Sequence, residues 1–549
     1  MTRRSDRARS RRPARLAPAR ALAACTALAL GLSLLVAGCG GSPSGSAGAP
    51  STRQASATAQ NAPGSPSGSG GGAIDVAAEN AKPGTRAWAV EVKQLGAQGA
   101  IEGYTDLASV APGQSFRLYV STTAPSFTVA AYRIGYYGGA EGHLVWQSPQ
   151  TRGVHQTAQS ISADTHTVEC DWQPSLTVGT AGWVPGEYLL KLVSSAGNER
   201  LVPLVVHSTS TAGRVVIVAG ITTWQAYNFW GGYSLYKGPN GAYATRARAV
   251  SFDRPYLDPD EPSGDGLFFP FDQALASFAE EHDLPVAYAS DLELETDPQL
   301  FHGARAIVSG GHDEYYSQTM RDTLQNARDQ QGTNLAFLGA NAIFRHIRWG
   351  STQLGADRLV ICYKDATEDP ITASDPSQST QDWRYAPDPR PENALTGSLY
   401  QCNPVNAPYV VYDPDNWIFA GTGVGSGTSF PGLVGPEYDR VVDIATTPHP
   451  IEVLSHSPLS CQGTASAQES SYYTVASGAG VFDAGTMRWE CALGTQCATR
   501  FGEAARGFVR TSTLTLLTAF AAGPAGRAHP AVDNTAADHI PVGEGLGID

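Results

Sequence analysis

Positive charge is scarce in this chain. Lys and Arg number 37 against 51 Asp and Glu, and eight of the 37 fall between Arg3 and Arg20. Setting those eight and Asp6 aside leaves 29 basic residues (37 − 8) against 50 acidic ones (51 − 1), a net charge of −21 from Cys39 onward. A surface of that sign repels phosphodiester backbones and anionic headgroups, which excludes a nucleic-acid partner and membrane attachment through basic patches. Cysteine is sparse too. Beyond Cys25 and Cys39 there are Cys170, Cys362, Cys402, Cys461, Cys491 and Cys497, without the paired CxxC or HxxxH spacing that holds structural zinc. An even number in an oxidising compartment suggests disulfides. Cys491 and Cys497 are close enough to close a small loop, and Cys362 and Cys402 flank a polar, Pro-rich insertion that a bond between them would pin. Six cysteines allow roughly 15 connectivities, so other pairings stay open. Motifs for covalent and nucleotide chemistry are missing: no GxSxG, no P-loop, no GxGxxG opening a helix after a strand. Gly421 to Gly427 is glycine-rich but precedes no apolar helix and reads as a loop.

The N-terminus carries the long uncharged run, Ala21 to Ala37, directly after the arginines. That order is a signal peptide, and the run is short for the roughly 20 residues that span a bilayer. Leu35-Val36-Ala37-Gly38-Cys39 resembles the lipobox of bacterial lipoproteins, in which residues 1–38 are removed and Cys39 is lipidated. Gly40 to Gly72 consists almost wholly of Ser, Gly, Ala, Pro, Thr and Gln, a flexible tether. The expectation is an extracytoplasmic protein, lipid-anchored to the cell membrane, with a disordered linker over 39–80.

From 81 to 210 the pattern is all-β. Short β-branched and aromatic runs, Ser115–Val120, Phe127–Tyr132, Glu187–Leu192 and Leu201–Val206, alternate with Gly/Pro/Ser turns and predict an antiparallel, Ig-like β-sandwich. Over 211–530 the strands become apolar throughout: Arg214–Ala219, Leu284–Tyr288, Ala304–Val308 and Asn334–Leu338. Helical spacing lies between them, with Phe271, Leu275 and Phe278 in one stretch and Met320, Leu324 and Ala327 in another. This alternation predicts a largely parallel, doubly wound α/β sheet. Gly435–Ala445 and Tyr472–Phe482 read as later strands, Thr511–Ala522 as a closing helix, and 531–549 as a tail.

In such a sheet ligands bind beyond the carboxyl ends of the strands. The third strand runs into Ser309-Gly310-Gly311-His312-Asp313-Glu314-Tyr315-Tyr316, which makes His312 and Glu314 candidate proton-transfer groups. The fourth ends at Gly339-Ala340-Asn341-Ala342, where an amidotransferase-like domain carries its cysteine; alanine and asparagine there remove covalent catalysis. Trp224-Gln225-Ala226-Tyr227-Asn228 and Gly231–Tyr236 follow the first strand, with Ser251–Tyr256 later in the same connection.

Tyr132-Arg133-Ile134-Gly135-Tyr136-Tyr137-Gly138-Gly139, Trp224–Tyr236, Ser309–Tyr315, Asn334–Asn341 and Gly435-Pro436-Glu437-Tyr438-Asp439-Arg440 together resemble the large (beta) subunit of N,N-dimethylformamidase and its C-terminal-domain relatives. The resemblance implies a β-sandwich beside an amidotransferase-like α/β domain. It also implies a mononuclear Fe3+ ion held by two tyrosines and one glutamate that hydrolyses a small amide. Carried over to this sequence, it makes Tyr315 one ligand, Glu437 the carboxylate and Tyr288 the second tyrosine, with Tyr256 as the runner-up. His312 is then the preferred proton shuttle, because an unperturbed imidazole titrates near pH 6.5.

Plainer readings stand beside these. A strand-end tyrosine often only packs, Glu437 to Arg440 also fits an ion pair fixing a loop, Asp313 fits a helix N-cap, and the Trp224–Tyr236 aromatics fit a sugar site. The insertion from Asp365 to Phe419 falls where the mouth of a cleft would be shaped. Two functions follow: an anchored, metal-dependent hydrolase of carbon–nitrogen bonds, or a non-catalytic envelope lipoprotein that binds a carbohydrate or small molecule. Nothing in the sequence bears on a small-subunit partner.

Overall fold

The order of strands in a seven-stranded sheet places the site. In the computed structural model, which describes residues 74–258, 262–495 and 499–535, that order is Val286–Ser290, Val215–Ala219, Ala306–Ser309, Asn334–Phe337, Gly480–Asp483, Ser471–Thr474, Ile451–Val453. The first five strands are parallel and the last two antiparallel. The chain starts in Val215–Ala219, moves out to Val286–Ser290, and returns on the other side at Ala306–Ser309. That reversal opens a crevice between the carboxyl ends of the Val215 and Ala306 strands.

The strands are apolar throughout because both faces are covered. Val215 and Ile217 join Tyr288, Ala306 and Val308 in one core, while Val216 and Val218 join Ala287, Ile307, Leu335 and Phe337 in another. Alternate side chains point to opposite faces, so each strand feeds both cores, and each buried Val or Ile contributes about 1.5–3 kcal/mol of transfer free energy. Helix Gln318–Gln331 packs Met320, Leu324 and Ala327 on the second core; Gln273–Glu281 and Glu503–Ala522 cover the first with Leu275, Phe278, Phe508, Leu516 and Phe520. Ser317 caps the Gln318 helix by accepting from Met320 N at 3.1 Å, and Gly332 ends it at φ 71°. Asp313, which fits an N-cap by sequence, is not the cap. The helix expected around Phe271 is interrupted at Asp272, whose carboxylate accepts from Trp224 Nε1 at 3.0 Å and Gly220 N at 3.4 Å.

In the N-terminal half, a three-stranded sheet (Ile101–Thr105, Ser115–Thr122, Leu176–Gly179) and a larger one led by Ser126–Ile134, Gly186–Ser194 and Glu199–Val206 share a core of Phe116, Leu118, Phe127, Val129, Leu190, Leu192 and Val202. The whole is thus a mixed structure of several β-sheets and a helix-covered α/β sheet. Two strand expectations change. Only Tyr438–Arg440 is strand within 435–445, and 472–482 is a hairpin of Ser471–Thr474 and Gly480–Asp483.

The far edge strand Ile451–Val453 is met by the start of the expected tail: Asn534 N donates to Ile451 O at 3.3 Å, Val453 N donates to Asn534 Oδ1 at 2.7 Å, and Asn534 Nδ2 to Val453 O at 3.1 Å. Among the described residues no helix is long and apolar enough to cross a membrane. The expected signal peptide, Cys39 and most of the linker lie outside the described residues, as does Cys497.

The disulfide expectation is corrected. Cys402 bonds Cys461, and Cys362 is a free, buried thiol. Cys402 ends a strand paired with Tyr438–Arg440, and the hairpin carrying Cys461 packs beside the same strand, whereas Cys362 is enclosed in the core below Tyr315. Cys491 is disulfide-bonded and Cys170 is free.

Candidate active site

The crevice is held in shape by close backbone contacts. A Cβ on Gly310 would lie 2.2 Å from Phe271 O, and one on Gly339 would lie 2.0 Å from Gly311 O. Both glycines are there because backbone passes where a side chain would be. Thr223 Oγ1 accepts from Glu314 N at 2.9 Å and Thr222 Oγ1 donates to Tyr315 O at 2.9 Å, tying helix Ile221–Tyr227 to the His312–Tyr315 loop. Asp313 Oδ2 accepts from Ser309 Oγ at 3.0 Å and Tyr316 OH at 2.7 Å, which fixes the loop from below.

Glu314 is the centre of the group. Tyr236 OH donates to its Oε2 at 2.8 Å and lies 3.0 Å from Oε1; Tyr227 OH donates to Oε2 at 3.2 Å. Tyr315 OH donates to Tyr236 OH at 2.6 Å. Arg345 Nε reaches Glu314 Oε1 at 3.3 Å, and Lys364 Nζ lies 3.3 Å from the centroid of the Tyr236 ring. His312 Nε2 stands 3.3 Å from Glu314 Oε2 as an ion pair but lacks hydrogen-bond geometry, so it is a buried nitrogen without a hydrogen-bond partner. His312 also feels the charge of Glu437, whose Oε2 accepts from Asn341 Nδ2 at 2.8 Å and whose Oε1 accepts from Asn403 Nδ2 at 3.1 Å. Asn341 sits in the turn that would carry an amidotransferase nucleophile, and Asn403 comes from the 365–419 insertion.

Electrostatics separate the two carboxylates. Burial opposes the Glu314 charge, but His312, Lys364 and Arg345 outweigh it and hold its carboxyl at about 2. For Glu437 burial dominates and Glu314 adds like-charge repulsion, only partly offset by His312 and the two asparagines, and the carboxyl is pushed up to about 7. Burial works against a charged His312, yet Glu314, Glu437 and Asp313 raise it above its usual value. Burial first, and the Glu314 charge next, push Tyr227, Tyr236 and Tyr315 well above 10. Two acids driven apart in this way favour the ionised form in Glu314 and leave Glu437 the one able to exchange a proton.

The structure thus brings together His312, Glu314, Tyr315 and, through His312, Glu437. It does not bring Tyr288 to them. Tyr288 lies mid-strand with its hydroxyl donating to Glu280 Oε1 at 2.7 Å, and Arg133 is 5.6 Å from its ring centroid. Tyr256 lies among Tyr104, Trp224 and Phe252 and also lines a small cavity with Tyr227, at that tyrosine's helix end. The tyrosines that do meet Glu314 are Tyr227 and Tyr236, whose rings pack at 4.4 Å between centroids. Their signal was the aromatic run after the first strand. Trp224 and Trp230 of that run are buried in packing, with Trp230 Nε1 donating to Glu102 Oε2 at 2.8 Å, and present no open face to a sugar.

Among the described residues no group of three or more His, Cys, Asp or Glu is arranged to hold a metal ion. The convergent donors here are instead phenols around one carboxylate. That all-oxygen set suits a hard trivalent cation, and the His312 nitrogen, 3.3 Å from Glu314 Oε2, is a further polar group facing the site.

A mixed α/β and β protein with a buried tyrosine–glutamate–histidine site at a sheet switch point is the class defined by these observations. The model of the family described as N,N-dimethylformamidase beta subunit-like, C-terminal, matches residues 128–500, and the chain belongs to that family. A search of curated proteins finds no match. Among solved structures, the cycloisomaltooligosaccharide glucanotransferase of Paenibacillus sp., complexed with cycloisomaltoheptaose, is similar over 23% of this chain and 18% of that one, at 13% identity and a TM-score of 0.14. The chain spans under a fifth of that enzyme, and so slight a likeness bears on neither fold nor chemistry.

Proposed function

We propose that this chain is a hydrolase of carbon–nitrogen bonds in amides, iron-dependent, and anchored outside the cytoplasm through lipid on Cys39. The observation that carries the catalytic part is the convergence of Tyr227 and Tyr236 hydroxyls on Glu314, both within 3.2 Å. Two tyrosines and one glutamate are the ligand set the family resemblance implies, and Tyr227, Tyr236 and Glu314 match it better than Tyr315, Glu437 and Tyr288. When bound there, a ferric ion supplies Lewis acidity toward a carbonyl oxygen and makes a water more acidic.

The remaining work falls to the chain itself. Glu314 stays ionised and orients both phenols. Tyr315 donates to Tyr236 and fixes that ring in place. Glu437, with a carboxyl near 7, takes a proton from water in its ionised form, and His312, 3.3 Å from Glu314, delivers one to the departing amine. Asn341 and Asn403 hold Glu437 by one hydrogen bond to each of its oxygens.

The lipoprotein reading is supported by the Leu35–Cys39 motif, and the Cys402–Cys461 bond fits an oxidising compartment. We read the N-terminal pair of sheets as Ig-like and the helix-covered sheet as amidotransferase-like, with Asn341 in the turn that would hold the nucleophile.

Aerobic reconstitution with iron, followed by metal analysis, a visible spectrum and an amide-hydrolysis screen, tests this. The expected result is a tyrosinate-to-iron absorption band that is weakened in Tyr236→Phe together with turnover. Colourless, metal-free protein that binds small molecules without turnover would sink it and favour the binding-protein reading.

A further inference from the structure

The Cys402–Cys461 bond lies one residue from a contact of the site. Asn403 is exposed, yet its Nδ2 reaches Glu437 Oε1 at 3.1 Å and Tyr400 OH at 2.8 Å. Glu437 follows Gly435-Pro436 in a loop, and Asn341 is its other side-chain donor. An exposed asparagine on an irregular segment has no packing of its own to keep it on target, and ordering such a side chain costs entropy. Two tethers compensate. The disulfide joins Cys402 to the hairpin of Ser457–Cys461 and Thr464–Gln468, and Gln462 Nε2 at the tip of that hairpin donates to Asn403 O at 3.0 Å. Both converge on the backbone at 402–403 from the same hairpin, which itself packs beside Tyr438–Arg440, the strand that begins directly after Glu437. The hairpin, the Asn403 segment and the Glu437 loop therefore form one braced unit at the mouth of the crevice.

We propose that Asn403 is a positioning residue for Glu437 and that the Cys402–Cys461 disulfide, with Gln462, holds it there. This rests on the hydrolase reading, because Glu437 has a task only in that reaction. The bond's contribution is local. It removes alternative positions of the 402–404 backbone, so that Glu437 keeps a hydrogen-bonded oxygen turned toward Asn403 and the other toward Asn341.

The test uses the full chain with Cys402→Ser/Cys461→Ser, Asn403→Ala, Gln462→Ala and the combination of the first two. Two readouts are taken: kcat and KM on the amide found in the screen, and hydrogen–deuterium exchange of the iron-free protein. The disulfide variant and Asn403→Ala are each expected to lower kcat by about 10-fold to 100-fold, the usual cost of losing an outer partner, with KM little changed. Combined, they lose no more than either alone, because both remove one contact. In the iron-free disulfide variant, exchange over 399–405 and 436–440 rises while 312–316 is unchanged. Gln462→Ala keeps the disulfide and shows a smaller change in the same direction, which keeps the idea testable if the serine variant folds poorly. Losses that multiply in the combination, or unchanged exchange at 436–440 in both Asn403→Ala and the disulfide variant, overturn the proposal. Wild-type protein without any amide turnover overturns the hydrolase reading instead, and in that case the exchange data alone decide whether Asn403 positions Glu437.

Discussion

Two buried clusters in this molecule use the same residue types and end differently. Around Glu280, Arg133 donates from Nη1 at 3.1 Å and pairs through Nη2 at 2.5 Å, Tyr288 OH donates at 2.7 Å, and Arg133 also reaches Tyr137 OH at 2.9 Å and Pro185 O at 3.1 Å. Around Glu314 stand Tyr227, Tyr236, His312 and Arg345. In the first cluster every named polar group is answered by another, and it joins the N-terminal sheets to helix Gln273–Glu281. In the second, His312 Nε2 and Asn341 Oδ1 are buried without hydrogen-bond partners. Residue type does not separate a brace from a site; the accounting of donors and acceptors at a strand end does. Orphaned atoms alone are insufficient, since Glu187, on the N-terminal strand Gly186–Ser194, also lacks partners for both oxygens, and burial first of all holds it protonated.

Glu280→Ala probes the brace and carries the largest expected effect. It strands Arg133 as a buried, uncompensated charge and should cost about 3–5 kcal/mol in denaturant unfolding. A loss under about 1 kcal/mol would dissolve the distinction between the clusters. Tyr236→Phe probes the site: hydrolysis should fall by about 100-fold, about 2.7 kcal/mol, beside a stability loss of about 1.5–3 kcal/mol for the hydrogen bond to ionised Glu314. Its pH dependence sharpens the contrast. Tyr227 and Tyr236 are held protonated by burial and by Glu314, so ferric binding must release both protons. Affinity for a ferric chelate should therefore rise with pH, by up to about 100-fold per unit in wild type and about 10-fold in Tyr236→Phe. A pH-independent affinity would remove the phenols from the ligand set. Tyr288→Phe should leave turnover and the pH slope untouched and cost about 1.5–3 kcal/mol of stability, the range for a hydrogen bond to a charged group. Smallest is Tyr256→Phe, which should cost about 0.5–1.5 kcal/mol and no activity; a large activity loss there would reopen its claim as a ligand.

Much of the scaffold could be read in advance because its causes are periodic. Val215–Ala219 and Asn334–Phe337 announce themselves as two-sided strands, and Met320, Leu324 and Ala327 as one face of a helix. The His312–Tyr315 loop follows from the same logic, since it must emerge at the carboxyl end of Ala306–Ser309. Tyr288 was misplaced because strand position says which face a side chain takes, and its face looks into the core with Ile217 and Phe278. Tyr227 and Tyr236 sit at a helix end and in a loop, where no period dictates which hydroxyl turns inward. Cys402 was mispaired for a related reason: its partner depends on how a distant hairpin packs against Tyr438–Arg440, and sequence separation does not encode that.

Asn534 closes the backbone of Ile451–Val453 with three hydrogen bonds. A chain cut just before it would carry a bare strand edge, ready to recruit the same edge of a neighbour, and should precipitate at concentrations the longer chain tolerates.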